Sequence, residues 1–500
     1  MRRAYWKVEG LNSYRKISKD VGLVGVAQVA SSIKGLILLP ILAKTLGVED
    51  YGIWAQISVT IGLLMPIAIL QLGIAMTRFL AAEKDNEKIS KGVFSILTTV
   101  FFTALVIFFF LFIFAEPIAA TVFGGVGATS IVRLAAALTL WTALDQIIIE
   151  YFIAFRQMER YAVFSIFRTI GEIVLIGYLV LSGYGILGAV ISLMAVSVIF
   201  FVAGFLIIGR EIGLSKPSYA LIKQYLIFSL PLFPTTLCIW IVNLSDRYII
   251  GFFMNMDAVG IYSTAYGLGS LVALFFFPIS TLLLPTITNL YEKNNIQELK
   301  MYLKYSLKSY LMLAIPCLFG ISVISKSLLS TLTTSEFVSG YLIVPIIMLA
   351  TILFNCSSIG MNVIIFHKKT KSVGLIYSIS ATINIVMNIV LIPKIGILGA
   401  AIATLTAFSL HLIMVSVISA RYFSFDIDSR FIQKSIVSSG FMGLILLELN
   451  SIFTINILIL ISVGMIIYFV SLVTLRAFSD DEYKLARDFL IRSAVSIKLK

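Results

Sequence analysis

The stretch NIVMNIVLIPKIGILGAAIAT, from Asn384 to Thr404, sets an apolar helix, a Pro-Lys break and a Gly/Ala-rich helix start one after another. Its second half has a partner upstream. Gly185-Ile-Leu-Gly-Ala189 and Gly396-Ile-Leu-Gly-Ala400 are the same five residues, 211 positions apart. One pentapeptide is weak evidence in a chain rich in Ile, Leu, Gly and Ala, but the offset recurs. FIAF ending at Phe155, followed by the basic RQMER, lines up with VIIF ending at Phe366, followed by HKKTK, again at 211. Gly52-Ile-Trp-Ala, after the polar LGVEDY, parallels Gly260-Ile-Tyr-Ser, after MNMDAV, at an offset of 208. Matches at nearly one offset, each at the same kind of helix boundary, indicate an internal duplication.

Composition fixes the class. The 500 residues are 59% hydrophobic and only 13% charged, with a mean hydropathy of +1.03, whereas soluble domains carry about a quarter charged residues. The chain is an all-α polytopic membrane protein. A net charge of +13 suggests nucleic acid in a soluble chain, but here it is absorbed by loops on one side of the membrane, so no nucleic-acid partner is implied. Cys238, Cys317 and Cys356 stand alone in apolar stretches, without CxxC spacing and with only two His in the chain. They read as packing residues, and neither metal nor cofactor is called for.

Fourteen runs are long and apolar enough to span a bilayer, for which about twenty residues suffice. They fall at 21–45, 52–77, 92–115, 131–154, 162–182, 185–209, 225–253, 259–287, 305–325, 340–366, 372–392, 396–420, 432–450 and 453–475. Basic residues crowd the loops on the N-terminal side, beginning with six in the lead before Asp20. The opposite side holds only Lys44, Arg133, Arg247, Lys326 and Lys394. This one-sided charge predicts a plasma (inner) membrane protein with both termini in the cytosol and an even number of spans.

Six spans return the chain to its starting side, so the two copies run parallel, around a central cavity on a pseudo-two-fold axis along the membrane normal. The organisation expected is a basic segment (1–20), a first six-helix bundle (21–209), a linker (210–224) and a second bundle (225–421). Two appended helices (432–475) and an amphipathic tail (476–500) follow. Prolines at 66 and 278, 212 apart, mark a kink kept in both copies.

A charge near a helix centre costs about 2.5–3.5 kcal/mol on insertion scales and calls for a partner or a wet cavity. Lys34, near the middle of the first span, is the clearest case. Asp145 and Glu150 in the fourth span and Glu172 in the fifth offer opposite charge, and Arg168 lies four residues from Glu172, on one helix face. Lys34 and Arg168 are therefore the candidates for holding an anionic substrate, with Asp145, Glu150 and Glu172 balancing them or coupling to ions. The other reading is a set of structural ion pairs. Asp246 and Arg247, near the outer end of the seventh span, suit either an interface anchor or an outer gate. His411, and the pair Asn384 and Asn388, read as packing groups inside helices.

The chain resembles the polysaccharide flippases of the multidrug/oligosaccharidyl-lipid/polysaccharide exporter superfamily, the group that includes O-antigen flippases. The likeness is carried by LLPILAKTLGVEDYGIWAQI (38–57), FRQMERY (155–161), SLPLFPTTLCIWIVNLSDRYIIG (229–251), VGIYSTAYGL (259–268) and the opening stretch, 384–404. The resemblance implies movement of a polyprenyl pyrophosphate-linked oligosaccharide to the outer leaflet by alternating access through a cationic cavity. Lys34 and Arg168 are where this sequence supplies the cations. It also implies membrane lipid and glycan-assembly proteins, such as a polymerase, as partners. Two other classes compete. A Na+- or H+-coupled exporter of small amphipathic molecules assigns the carboxylates to ion binding. A membrane-embedded glycan polymerase or ligase needs a large external loop, which the short loops do not supply, and no GxxxxGK[ST] loop for an ATP-driven pump occurs.

Overall fold

The computed structural model describes residues 2–452 and 456–478, so the tail helix expected over 476–500 lies, beyond its first three residues, outside the described residues. The first half holds α1 (Arg2–Ile69), α2 (Leu72–Phe79), α3 (Asn86–Ile113), α4 (Ala115–Val122), α5 (Thr129–Ala154), α6 (Met158–Leu179) and α7 (Gly185–Ile212). The second holds α8 (Tyr219–Ser229), α9 (Phe233–Phe253), α10 (Met256–Ser270), α11 (Phe277–Glu292), α12 (Ile296–Leu332), α13 (Ile343–Phe366), α14 (Thr370–Ile395) and α15 (Ile397–Ala420). After these come α16 (Ser429–Ile452) and α17 (Ile457–Thr474), and no strand occurs among the described residues.

Among the described residues, twelve helical stretches are long and apolar enough to cross a membrane. Two of them, Gly22–Ile69 with 48 residues and Met158–Ile212 with 55, are each over twice the length that about 30 Å of hydrocarbon requires. Both contain a turn. The first breaks at Gly47 (φ 77°, ψ −177°), and the second at Gly183 (φ 90°) and Gly185 (φ 54°, ψ −144°), conformations that favour a residue without Cβ. With each of these two counted twice, the described residues hold helix enough for fourteen crossings.

The duplication is visible in backbone angles. Gly185 and Gly396, which open the two GILGA copies, share φ/ψ of 54°/−144° and 61°/−144°. Arg156 (φ 55°) and Lys368 (φ 57°) both end their helices in the left-handed region. Each stop is closed by the next N–H reaching back five residues, Gln157 to Phe152 O at 2.8 Å and Lys369 to Ile364 O at 3.2 Å. The break expected at Pro393-Lys394 falls instead at Gly396. Helix α14 runs through the proline to Ile395, because a proline in a last turn removes one N–H without ending the helix, and the Gly396 N–H still reaches Ile392 O at 2.8 Å.

Between Gly52/Gly260 and Pro66/Pro278 the offset grows from 208 to 212, one helical turn. The eighth crossing accommodates it as a five-residue 3-10 segment, Leu271–Phe275, between α10 and α11. The second crossing is broken elsewhere, at Leu70 (φ 52°) and Gln71 (φ 57°) before α2.

The copies meet at the glycines that first marked them. A Cβ on Gly52 would fall 1.9 Å from Met256 O, and one on Gly260 would fall 2.4 Å from Val48 O. Val48 and Met256 are themselves repeat mates, 208 apart, so the contact is reciprocal and sits on the pseudo-two-fold axis. Small residues allow this backbone approach. One turn further on, Gln56 and Thr264, also 208 apart, are fully buried, and both side-chain polar atoms of Gln56 find no partner. Tyr248 to Thr60 at 2.6 Å and Trp240 Nε1 to Val59 O at 3.2 Å extend the contact between halves. The crossing adjoins the turn at Gly47 and the turn between α9 and α10, at the helix ends away from the basic loops. Helices α16 and α17 stand outside the duplication, pinned to α12 by the Tyr468 hydroxyl donating to Met312 O at 2.8 Å.

Candidate functional site

On the basic side of the Gly52/Gly260 contact a cavity of about 440 Å³ lies between α1 and the eighth crossing. Gln28, Ser31, Ser32 and Gly35 line it from α1, and Gly267, Ser270 and Leu271 from the other wall; it ends at Tyr51, whose ring meets Phe337 edge-on at 5.5 Å. Its polar lining is neutral hydroxyl and amide. Lys34 stands three residues beyond Ser31, hence one turn along the same helix face.

Four of the five charges expected inside the first bundle come together. Lys34 Nζ donates to Glu172 Oε2 at 2.5 Å, and Arg168 Nε donates to Glu172 Oε1 at 3.1 Å. Arg168 Nη1 lies 2.6 Å from Asp145 Oδ2, an ionic contact without the alignment of a directed hydrogen bond. The network joins three crossings and is formally neutral. The carboxylates are its buried side, Asp145 at 0% and Glu172 at 5% side-chain exposure, while Lys34 at 30% and Arg168 at 21% keep open faces. The two cations are thus partnered by Glu172 and Asp145, two of the three carboxylates that the sequence sets against them. Lys34 retains two N–H donors and Arg168 three.

Glu150 is not part of this network. It accepts from Gln146 Nε2 at 3.2 Å, within α5, and lines a separate cavity. Asp246 and Arg247 are 1% and 4% exposed, so the interface-anchor reading of this pair is overturned. Arg247 Nη1 donates to Asp246 Oδ1 at 2.6 Å and to Asn243 O at 2.7 Å, with its guanidinium 3.9 Å from the Tyr266 ring centre. The Tyr262 hydroxyl donates to Asp246 Oδ2 at 2.5 Å, tying the cluster to α10 just beyond Gly260. His411 is buried between Phe354 and Tyr377, with Ser380 Oγ 3.1 Å from Nδ1. Asn388 Nδ2 donates to Asn384 Oδ1 at 3.0 Å.

Sequence reading missed a second chamber. An apolar groove of about 250 Å³ runs between α12, α16 and α17, lined by Pro316, Ile321, Met442, Leu446, Gly464 and Met465, and by Phe275 of the eighth crossing. Leu271, Ala273 and Leu274 of the same 3-10 segment line the polar cavity. The inserted turn is therefore the wall between a polar and an apolar chamber.

The family of polysaccharide biosynthesis proteins matches residues 17–291, more than half of the chain. The chain belongs to that family. This member is 26% identical over 256 residues to a protein of Haloferax volcanii described as the probable low-salt glycan biosynthesis flippase Agl15; the match covers 50% of this chain and 53% of that protein. The chain thus spans about half the length of that curated relative. Among solved structures, the family member superposes on the lipid II flippase MurJ in an inward closed conformation with a TM-score of 0.75, at 20% identity, over 90% of this chain and 98% of that one. It also superposes on an inward-facing multidrug resistance MATE transporter of the MOP superfamily, with a TM-score of 0.65 at 13% identity over 79% and 97%. These likenesses establish the shared fold.

Proposed function

We propose that this chain is a transporter, a flippase that carries a polyprenyl pyrophosphate-linked oligosaccharide from the cytosolic to the outer leaflet by alternating access, for surface polysaccharide biosynthesis. The observation that carries the reading is the pair of chambers sharing the wall Leu271–Phe275, one hydroxyl-lined and one apolar. A lipid-linked glycan needs both: hydrogen-bonding groups for the sugar and an apolar groove for the polyprenyl chain. The pyrophosphate belongs at the remaining donors of Lys34 and Arg168. Because Glu172 and Asp145 already balance those cations, the anion binds by charge-assisted hydrogen bonds without drawing an unpaired charge into the membrane. In this reading the Gly52/Gly260 contact is the outer seal, and Asp246 and Arg247 beside it brace the outer gate. The plasma (inner) membrane is the location this reading requires, with the basic loops and both termini in the cytosol. Glycan-assembly enzymes such as a polymerase are the partners on the outer side.

The test is mass analysis of lipid-linked glycans, with sidedness, in cells depleted of the protein and complemented with wild type or Lys34→Ala. Cytosolic accumulation of one pyrophosphate-linked oligosaccharide, cleared by wild type and at least ten-fold less by the variant, is expected. Unchanged lipid-linked glycans would overturn the reading in favour of ion-coupled export of small amphipathic molecules.

A further inference from the structure

Lys34, one turn from Ser31, brings the ion-pair network to the edge of the polar cavity, and the network arrives there already neutral. Glu172 is the reason: one of its oxygens takes Lys34 at 2.5 Å and the other takes Arg168 at 3.1 Å, while Asp145 takes Arg168 from another side at 2.6 Å. Other cations nearby are committed elsewhere. Lys44, further along α1, donates to Thr331 O at 2.7 Å, and Arg247 is buried against Asp246 and Asn243 O. The second copy of the repeat supplies no charge in their place. At the repeat offsets, Lys34 corresponds to Val242, Asp145 to Cys356, Arg168 to Ile379 and Glu172 to Ile383.

The cavity wall repeats the same neutrality. Among the described residues no Lys, Arg or His lines it, and its polar groups are the Gln28 amide and the hydroxyls of Ser31, Ser32 and Ser270. Each of these both donates and accepts, as a sugar hydroxyl or an N-acetyl group does. Gly35 and Gly267 leave the two facing walls bare, and a Cβ on either would meet nothing within 4 Å, so a ring has room between them. A carboxylate or sulfate on that ring would find no cation of its own, because the donors left on Lys34 and Arg168 belong to the pyrophosphate. While the cavity is open, water solvates such a group. Alternating access then closes the halves over the substrate, and an unpaired charge is far costlier to enclose than a hydrogen-bonded hydroxyl.

Given the flippase reading, on which this rests, we infer that the sugars next to the pyrophosphate are uncharged, neutral hexoses or N-acetylhexosamines, and that uronic and sulfated sugars are refused. Glu172 sets this preference. By holding both cations it leaves them enough hydrogen-bond donors for one anionic group and no net charge for a second. Removing its charge, or adding a cation to the wall, therefore opens the cavity to acidic sugars.

The experiment measures binding of short-chain polyprenyl pyrophosphate disaccharides to the purified full-length protein in nanodiscs. Three probes differ only in the terminal sugar: a hexose, the matching hexuronate, and the methyl ester of that hexuronate, which keeps the added bulk without the charge. The hexose and the ester are expected to bind at least ten-fold more tightly than the hexuronate. Glu172→Gln and Ser31→Arg, the latter at an exposed position of the wall, should each close most of that gap by strengthening hexuronate binding. If Glu172→Gln does not fold, Ser31→Arg carries the test. Equal affinity for hexose and hexuronate, an ester bound as weakly as the acid, or a gap unchanged in the folded variants would each overturn the inference and leave the flippase reading standing. Failure of all three probes to bind would instead remove the flippase reading, and this preference with it.

Discussion

Lys308 and Asp428 show how a single pair holds the appended helices. Asp428 accepts from Lys308 Nζ at 2.9 Å and from the Phe431 N–H at 3.0 Å, at the start of α16. Partial burial pushes its pKa up, but the Lys308 hydrogen bond, the Phe431 N–H and the charges of Lys308 and Lys304 outweigh that, and the net direction is below the usual 3.8. A depressed carboxylate stabilises the fold fully above its unfolded pKa and loses that contribution as pH falls through the folded value. Asp428→Asn, which keeps an acceptor for the Phe431 N–H, is expected to cost on the order of 1 kcal/mol at pH 7. Thermal unfolding of both proteins checks this: the gap closes as pH drops below about 3.8, and a gap unchanged at pH 3 would assign the effect to packing. At this scale the sequence was half legible. The Arg168–Glu172 pair follows from helical spacing alone, whereas Lys34 and Glu172, 138 residues apart, meet only because α1 and α6 pack side by side. Glu150 parted from Asp145 for the same reason: five positions along a helix turn a side chain to another face.

The elements are organised by two departures from regular helix, the Gly52/Gly260 crossing and the 3-10 turn at Leu271–Phe275. Gly52→Ala would set a Cβ 1.9 Å from Met256 O, a clash with backbone that cannot rotate away. The helices must spread, and a loss of about 1–3 kcal/mol is expected. Gly440→Ala in α16, with open space around its Cβ, is the matched control. Thermal unfolding and export measured on both variants check the contrast, and equal behaviour would remove the seal from the mechanism. Both glycines were visible in the sequence as repeat mates, but their contact was not, because a repeat fixes the existence of an axis and not which residues lie on it. The apolar groove beside α17 was invisible for a different reason. In a membrane chain, groove-lining and lipid-facing positions are equally apolar, so hydropathy gives them no contrast.

For the molecule as a whole, fourteen crossings and parallel halves were readable because charge bias and repeat offset are long-range signals that survive local ambiguity. The orientation proposed from them is checked by labelling cysteines in a chain with Cys238, Cys317 and Cys356 replaced by Ser. An impermeant maleimide on intact cells is expected to label Val126→Cys and to reach Lys216→Cys only after permeabilisation; both positions are exposed. The reverse pattern would invert the topology. The reciprocal crossing at Gly52 and Gly260 also bears on how such a chain arose. A contact that is its own mirror across a two-fold axis is the kind made by two identical subunits. A six-span chain paired in parallel with a second copy of itself would meet at the same glycine, so the contact needs no residue that a single copy lacks. Bulk added at either glycine falls on the backbone of the opposite copy.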